Sequence, residues 1–404
     1  MGHTATLLLP SDDVLVVGGY RSGGLIASAE LYHPATSLWE STGDLNMPRR
    51  GHAATLLATG VLVTGGYDSN GVTASAEIYA PTPGPLGQWN PTGVMTFARA
   101  NHTEILLPTG DILVTGGENS TGPLDSAELY NPITGLWSLT GNLKIARVRH
   151  TATLLKNGDV LIVGGENSTG PLDSAELYNP ITGWSLTGNL KIARTGHTAT
   201  LLGNGDVLIA GGNGSGGILA SAEIYHIDPT TGQGQWVVAN NLHVSRAGHS
   251  ATLLSNNMVL IAGGFSDNGT LTSAELYDPA TDLWTPTGSL GAPRSFHTST
   301  LLSDGSLLVT GGTSLRSDLV SAERVTPGVQ AILEWDRVSD PTMLGYKIYY
   351  GTTSKSYQGA VILDRETKYI FESLTKGTMY YFAVTSFSGI GESCSSNEVS
   401  KFIP

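Results

Sequence analysis

The chain has 404 residues, 40% hydrophobic and 14% charged, with 52 glycines and a formal net charge of −13. It is too apolar to be disordered and long enough for a large core plus a second domain. Its acidic balance and scattered lysines and arginines exclude a clustered basic surface, so no nucleic-acid partner is expected. The single cysteine, Cys394, allows no intrachain disulfide and no cysteine-based metal site. No run of about 18 apolar residues is present to span a membrane as a helix.

The chain opens directly on Gly2 and His3, with no signal peptide in view. His3 is the first of seven regularly spaced histidines, followed by His52, His102, His150, His197, His249 and His297, at a period of about 47 to 52 residues. Each opens a segment like HTATLL. A glycine pair follows each one, from Gly18–Gly19 to Gly311–Gly312, and then Ser-Ala-Glu, ending at Glu30, Glu77, Glu128, Glu176, Glu223, Glu275 and Glu323. Glu118 to Arg147 recurs at Glu166 to Arg194 with one leucine deleted, the mark of a recent duplication.

The fourth copy predicts four strands. His150 to Leu155 is the first, followed by a tight turn at Asn157-Gly158. Val160 to Val163 is an apolar run suited to burial on both faces, and a third strand over Ser174 to Tyr178 stops at Asn179-Pro180. The fourth is centred on Trp184. Four-stranded units repeated seven times bury both faces only when stacked radially about an axis.

An apolar strand, Gly-Gly, then Tyr, then Trp, at a period near 50, resembles the kelch repeat. The tyrosines are Tyr32, Tyr79, Tyr130, Tyr178, Tyr225 and Tyr277; the tryptophans are Trp39, Trp89, Trp137, Trp184, Trp236 and Trp284. The HTATLL and VLVxGG style is similar to the galactose-oxidase-like branch of that family. The resemblance implies an all-β fold, a seven-bladed β-propeller over residues 1–326. In the seventh copy Val325 replaces the tyrosine and no tryptophan strand follows. The last blade is therefore expected to be incomplete, its outer strand belonging to a stretch upstream of this chain. From Pro327 the pattern changes. Trp335, GYKIYYG and YFAVTSF resemble a fibronectin type III β-sandwich over residues 327–404, with Trp335 in the core and Tyr380 as the corner tyrosine. Too few residues separate Glu323 from Val329 to supply a strand to both units, so one of the two is expected to be a strand short.

Six Arg-x-x-His pairings, Arg49/His52 to Arg294/His297, present imidazoles once per blade. A feature in every copy answers a need of the fold. We therefore expect each arginine to pair with a Ser-Ala-Glu carboxylate, and each histidine to satisfy loop carbonyls. Seven glutamates meet six such arginines, the absent one falling just before His3. The copper-radical chemistry of galactose oxidase, which the resemblance brings to mind, needs a cysteine cross-linked to a tyrosine near the axis, and no cysteine precedes Cys394. No metal and no cofactor is expected. No Gly-x-Ser-x-Gly elbow occurs, and the glycine-rich runs lead into no helix. Paired carboxylates on loops stay open as a glycoside-cleaving arrangement.

The loops after each glycine pair vary between copies, and variable loops on a rigid ring are where binding residues concentrate. The ligand-binding candidates are Tyr20, Arg21, Tyr67, Asp68, Glu118, Asn119, Glu166, Asn167, Phe265 and Asp267. Asn119 and Asn167 also fit the glycosylation sequon. Since the duplicated third and fourth copies share their loops, an asymmetric site is expected on the other five. The leading reading is a non-catalytic scaffold binding a glycan or protein through this loop face. The alternatives are a carbohydrate-active enzyme with a loop-borne site and an intracellular protein-interaction propeller. Exported bacterial proteins resembling this one carry such tail domains as spacers, which implies an extracellular or cell-surface, bacterial setting.

Overall fold

The computed structural model describes all residues except 82–86, 229–233, 315–316, 327–330, 372–373, 375–377, 390 and 404. It divides into two compact units, Met1–Val325 and Thr326–Pro404.

Among the described residues the first unit holds six four-stranded antiparallel sheets and a seventh of three strands. The fourth sheet is representative: Thr151–Leu154, Val160–Val163, Ala175–Asn179 and Gly183–Leu186 lie in chain order from inside to outside. Leu154 faces Val160 across the first hairpin, so five residues connect these strands rather than a two-residue turn. The seventh sheet comprises Thr298–Leu301, Leu307–Thr310 and Ala322–Val325. Each innermost strand neighbours the next, and Thr4–Leu7 neighbours Thr298–Leu301, so the sheets close into a ring.

The VLIV-type second strands are buried on both faces because each sheet is covered by a neighbour on either side. The core accordingly lies between sheets. Between the fifth and sixth, Leu208, Ala210 and Leu242 pack on Val259, Ile261, Tyr277 and Trp284. The glycine pairs sit where backbone meets backbone. A Cβ on Gly164 would stand 2.6 Å from the Arg194 carbonyl and 2.9 Å from the His197 ring, and its φ is +57°.

The second unit pairs Ala331–Glu334 with Lys368–Phe371, and builds a second sheet from Met343–Gly351, Gly359–Leu363, Thr378–Ser388, Gly391–Glu392 and Val399–Ile403. Leu333, Ile348, Phe371 and Phe382 form its core, with Trp335 packed against them and edge-on to Tyr346. Tyr380 pairs with Lys401 across the strands and packs on this core. The corner that would define its motif includes residues 375–377, outside the described set. Among the described residues the seventh sheet has three strands and the smaller sheet of the sandwich two, and residues 327–330, where the first strand of the sandwich is expected, lie outside the described set.

Candidate functional site

The repeated polar residues are structural. Arg147 is fully buried and donates through Nη1 to Gly164 O (2.7 Å) and Ser174 O (3.1 Å), and through Nη2 to Ser174 Oγ (3.0 Å) and Glu176 Oε1 (2.8 Å). Glu176 also accepts the Lys144 and Ile145 backbone N–H groups. A buried ion pair is tolerated when its remaining donors and acceptors are satisfied in this way. The same pair forms at Arg49–Glu77, Arg99–Glu128, Arg194–Glu223, Arg246–Glu275 and Arg294–Glu323.

The histidines reach further than expected. Nε2 of His150, His197 and His249 meets the hydroxyl of Thr103, Thr151 and Thr198 on the preceding inner strand at 2.9–3.0 Å, and the backbone of Arg147, Arg194 and Arg246 acts on each ring besides. His52, His297 and His3 use Thr4, Ser250 and Thr298. Ala53 offers no hydroxyl, so His102 turns to Thr64 of the adjoining strand. Burial, reinforced by the neighbouring arginine, drives His52 and His197 down to about 3, so both imidazoles are neutral.

The residues that vary stand at one end of the ring. After each glycine pair a two-residue strand forms a small hairpin, as in Tyr20–Arg21 with Gly24–Leu25 and Glu118–Asn119 with Gly122–Pro123. Beside it runs the segment entering the next histidine, bridged as in Arg50 to Tyr67 and Val148 to Glu166. The residue just before each histidine has positive φ in all seven copies: Gly2, Gly51, Gly196 and Gly248, but Asn101 (51°), Arg149 (54°) and Phe296 (54°). Backbone bonds link several of these residues from one sheet to the next, Gly51 N to Gly2 O and Asn101 N to Gly51 O among them, which sets them around the axis. Arginine and phenylalanine in a left-handed conformation are strained, and such strain clusters at functional positions.

These residues complete a polar arc over the first four sheets. The Arg50 guanidinium lies 5.7 Å from the Tyr20 ring centroid and 4.9 Å from that of Tyr67. Tyr67 donates its hydroxyl to Glu118 Oε1 at 2.8 Å, and Asn101 Nδ2 donates to the same oxygen at 2.8 Å. Burial and the Glu118 carboxylate push the Tyr67 phenol up to about 12. Arg149 Nη1 reaches Glu166 Oε1 at 2.9 Å. Across the ring Phe265 and Phe296 pack with centroids 5.6 Å apart, Phe296 half exposed.

Of the ten candidates, Tyr20, Tyr67, Glu118 and Glu166 join this arc, and Phe265 joins the aromatic pair. Asp68, Asn119 and Asn167 instead close their own hairpins, their side-chain oxygens accepting from Asn70, Thr121 and Thr169. Arg21 faces the junction of the first and seventh sheets, and Asp267 lies exposed at a hairpin tip. Arg50, Asn101, Arg149 and Phe296 are absent from the candidates, and the signal for three of them was a non-glycine residue where other copies have glycine. Asn101 and Arg149 differ at equivalent positions just before the duplicated copies, outside the duplicated stretch itself.

Glu104 is a second blade-specific residue, standing on an inner strand where other copies have alanine or serine. It accepts from Thr64 Oγ1 at 2.7 Å, while its Oε1 is sealed from solvent without a partner. Desolvation raises its carboxyl to about 7.

The ring of sheets with Gly-Gly, Tyr and Trp at fixed stations, followed by a sandwich, defines the class: a kelch-type β-propeller joined to a fibronectin type III domain. Sequence comparison agrees. Residues 139–312 match the KLHDC2/KLHL20/DRC7 kelch-repeats domain, 108–144 the kelch motif, and 318–402 the fibronectin type III domain. The last match starts inside the propeller, where Ala322–Val325 pairs with Leu307–Thr310, so the boundary follows the pairing. No curated protein matches the chain in sequence.

Among solved structures, a fungal alcohol oxidase of the AA5 family in complex with copper superposes with a TM-score of 0.67 at 17% identity, covering 99% of this chain and 96% of its own. The structure of YjhT superposes at 0.54 and 18% identity, covering 69% of this chain and 94% of its own. At that identity the likeness is one of fold. No three His, Cys, Asp or Glu side chains are grouped among the described residues, the ring histidines spend Nε2 on hydroxyls, and Cys394 lies exposed in the other unit.

Proposed function

We propose that the propeller is a non-catalytic interaction scaffold that binds a glycan or protein ligand through the face carrying the hairpins, in an extracellular or cell-surface, bacterial setting. One observation carries the reading. Side chains at strained or variable positions gather into a single arc, Tyr20, Arg50, Tyr67, Asn101, Glu118, Arg149 and Glu166, while the polar residues repeated in every blade are consumed in holding the ring. Aromatic faces held by an arginine, beside carboxylate and amide groups, can stack on and hydrogen-bond a sugar ring or a peptide. The test is to screen the full chain against a glycan array and a peptide library. A genuine ligand loses at least tenfold in affinity with Tyr67→Ala and with Arg149→Ala. Retention of every hit by both variants would refute the assignment of the face.

The second reading is a carbohydrate-active enzyme with a loop-borne site, in which a carboxylate of the hairpin face would act on the glycosidic bond. Hydrolysis of any glycoside by the wild type, abolished in Glu118→Gln or Glu166→Gln, would favour it over the scaffold.

A further inference from the structure

In six of the seven copies the ring histidine meets the hydroxyl of the residue that opens the preceding inner strand. His102 is the exception. Ala53 stands at that station with no hydroxyl to offer, directly opposite Thr64 on the adjoining strand. His102 Nε2 therefore lies 2.9 Å from Thr64 Oγ1. The third sheet departs from the others at the next station too. Glu104 stands where the other copies have Ala5, Ala54, Ala152, Ala199, Ala251 and Ser299. Its carboxyl reaches back to the second sheet, where Oε2 accepts from Thr64 Oγ1 at 2.7 Å. One hydroxyl thus stands between an imidazole and a carboxyl.

The groups around this pair are few. Thr55 and Thr64 face Glu104 from the second sheet, and they and burial are what act on its carboxyl. His102 faces the Arg99 guanidinium, itself bound to Glu128, and feels the neighbouring rings of His52 and His150. Burial holds His102 far below its ordinary range, so the ring is neutral and carries one proton, on Nδ1 or on Nε2. Nδ1 of this ring and of His52, His150, His197, His249 and His297 is sealed without a full hydrogen bond. In those other five the backbone of the arginine three residues earlier favours a ring proton, and no such pull acts on His102. What Nε2 meets decides the tautomer of His102.

Proton counting gives two states. A carboxylate only accepts, so with Glu104 ionised the Thr64 proton goes to Oε2, and Thr64 Oγ1 accepts from His102 Nε2–H. With Glu104 protonated, the acid proton belongs on Oε2, because Oε1 has no partner among the described residues. Oε2 then donates to Thr64 Oγ1, the Thr64 proton turns to Nε2, and the ring proton resides on Nδ1. The second state holds one proton more than the first. Both hydrogen bonds are kept and only their direction reverses. Desolvation, which raises Glu104 to about 7, sets the exchange near neutrality.

We propose that Glu104, Thr64 and His102 form a proton-operated tautomer switch, in which uptake of one proton by the carboxyl moves the His102 ring proton from Nε2 to Nδ1. It lies directly beneath the hairpin face, since Asn101, the residue before His102, donates to Glu118. The inference does not depend on what that face binds. The junction of the third and fourth sheets has no such device, because Nε2 of His150 meets two hydroxyls, Thr103 and Thr115, and neither titrates.

The test is ring-nitrogen NMR of the full chain with labelled histidine, recorded on either side of neutrality. A tautomer exchange interchanges the shifts of the two ring nitrogens, whereas a ring that takes up charge moves both together. One buried ring is expected to interchange, with a midpoint of about pH 7. Glu104→Ala, which installs the residue of five other copies, should abolish that interchange. Glu104→Gln keeps the side-chain shape but cannot take up the proton, and should abolish it as well. An interchange that survives Glu104→Gln overturns the proposal. So does a spectrum in which no buried ring interchanges, which would place the acid proton on Oε1, or one in which the His102 ring becomes charged.

Discussion

The junction between the third and fourth sheets and the one between the seventh and first are built from nearly the same repeat, yet their interiors differ. The former buries Leu113, Leu143, Ile162 and Tyr178 around a sealed arginine–glutamate pair. Among the described residues the latter keeps Val14, Tyr32, Leu302 and Leu308 as its buried core, with Glu30 open to solvent. The ring still closes, since His3 reaches Thr298 and Thr310, Ser303 donates to Asp12, and Arg324 reaches Pro34 O. Closure therefore rests on the inner strands. The crossing segment governs the outer half of a junction, and a Ser-Ala-Glu carboxylate is buried only when that segment delivers its arginine.

The largest expected contrast is at that arginine. Arg147→Ala leaves Glu176 buried and unpaired and should cost about 3–5 kcal/mol. Glu30→Ala, at the open junction, should stay within about 0.5 kcal/mol, as surface changes do. Paired urea titrations measure both, and equal losses would break the comparison. Next, Trp89→Ala should cost about 3–5 kcal/mol by cavity formation. Trp39→Ala, in the open groove, should cost clearly less in the same titration.

A pH series sharpens the picture at the axis. Folded His52 and His197 titrate at about 3, against an unfolded value near 6.5, so the unfolded chain takes up protons first as pH falls. Stability is full above about pH 6.5 and is lost progressively toward pH 3 to 4. Glu104 acts in the opposite sense. Its raised value, about 7 against 4.5, gives a contribution present below pH 4.5 and lost as pH rises through 7. Glu104→Gln should thus remove a decline in stability between about pH 4.5 and 7 and leave the limb below pH 4.5 unchanged. The smallest effect is expected from Tyr67→Phe, which removes the bond to Glu118 and costs about 0.5–1.5 kcal/mol of stability by thermal denaturation.

Much of this architecture was legible because it is repeated. Seven histidines, glycine pairs and Ser-Ala-Glu stations announce a ring, and the tally of six arginines against seven glutamates pointed to the one junction that differs. The arginine–glutamate pairing followed from complementary charge at a constant spacing. The imidazole partners did not, because Thr103 and His150 lie on different sheets and only radial stacking brings them together. The loop face was half legible. Tyr67 and Glu118 stood out as variable residues, but their mutual bond spans two repeats, and Arg50 and Asn101 belong to a segment that the loop criterion passed over. Asn119 and Asn167 show the reverse error, a polar side chain spent on its own turn.

The left-handed residue before each histidine bears on how such a ring can change its specificity. A position that glycine fills at Gly51, Gly196 and Gly248 accepts asparagine, arginine or phenylalanine elsewhere in the same ring, at a backbone cost of about 1–2 kcal/mol each. That cost is paid locally, without altering strand register or the buried ion pairs. Each blade thus carries one socket near the axis that a single codon change can populate. A propeller of this kind can acquire a new recognition surface one side chain at a time, while selection on the repeat keeps the frame constant.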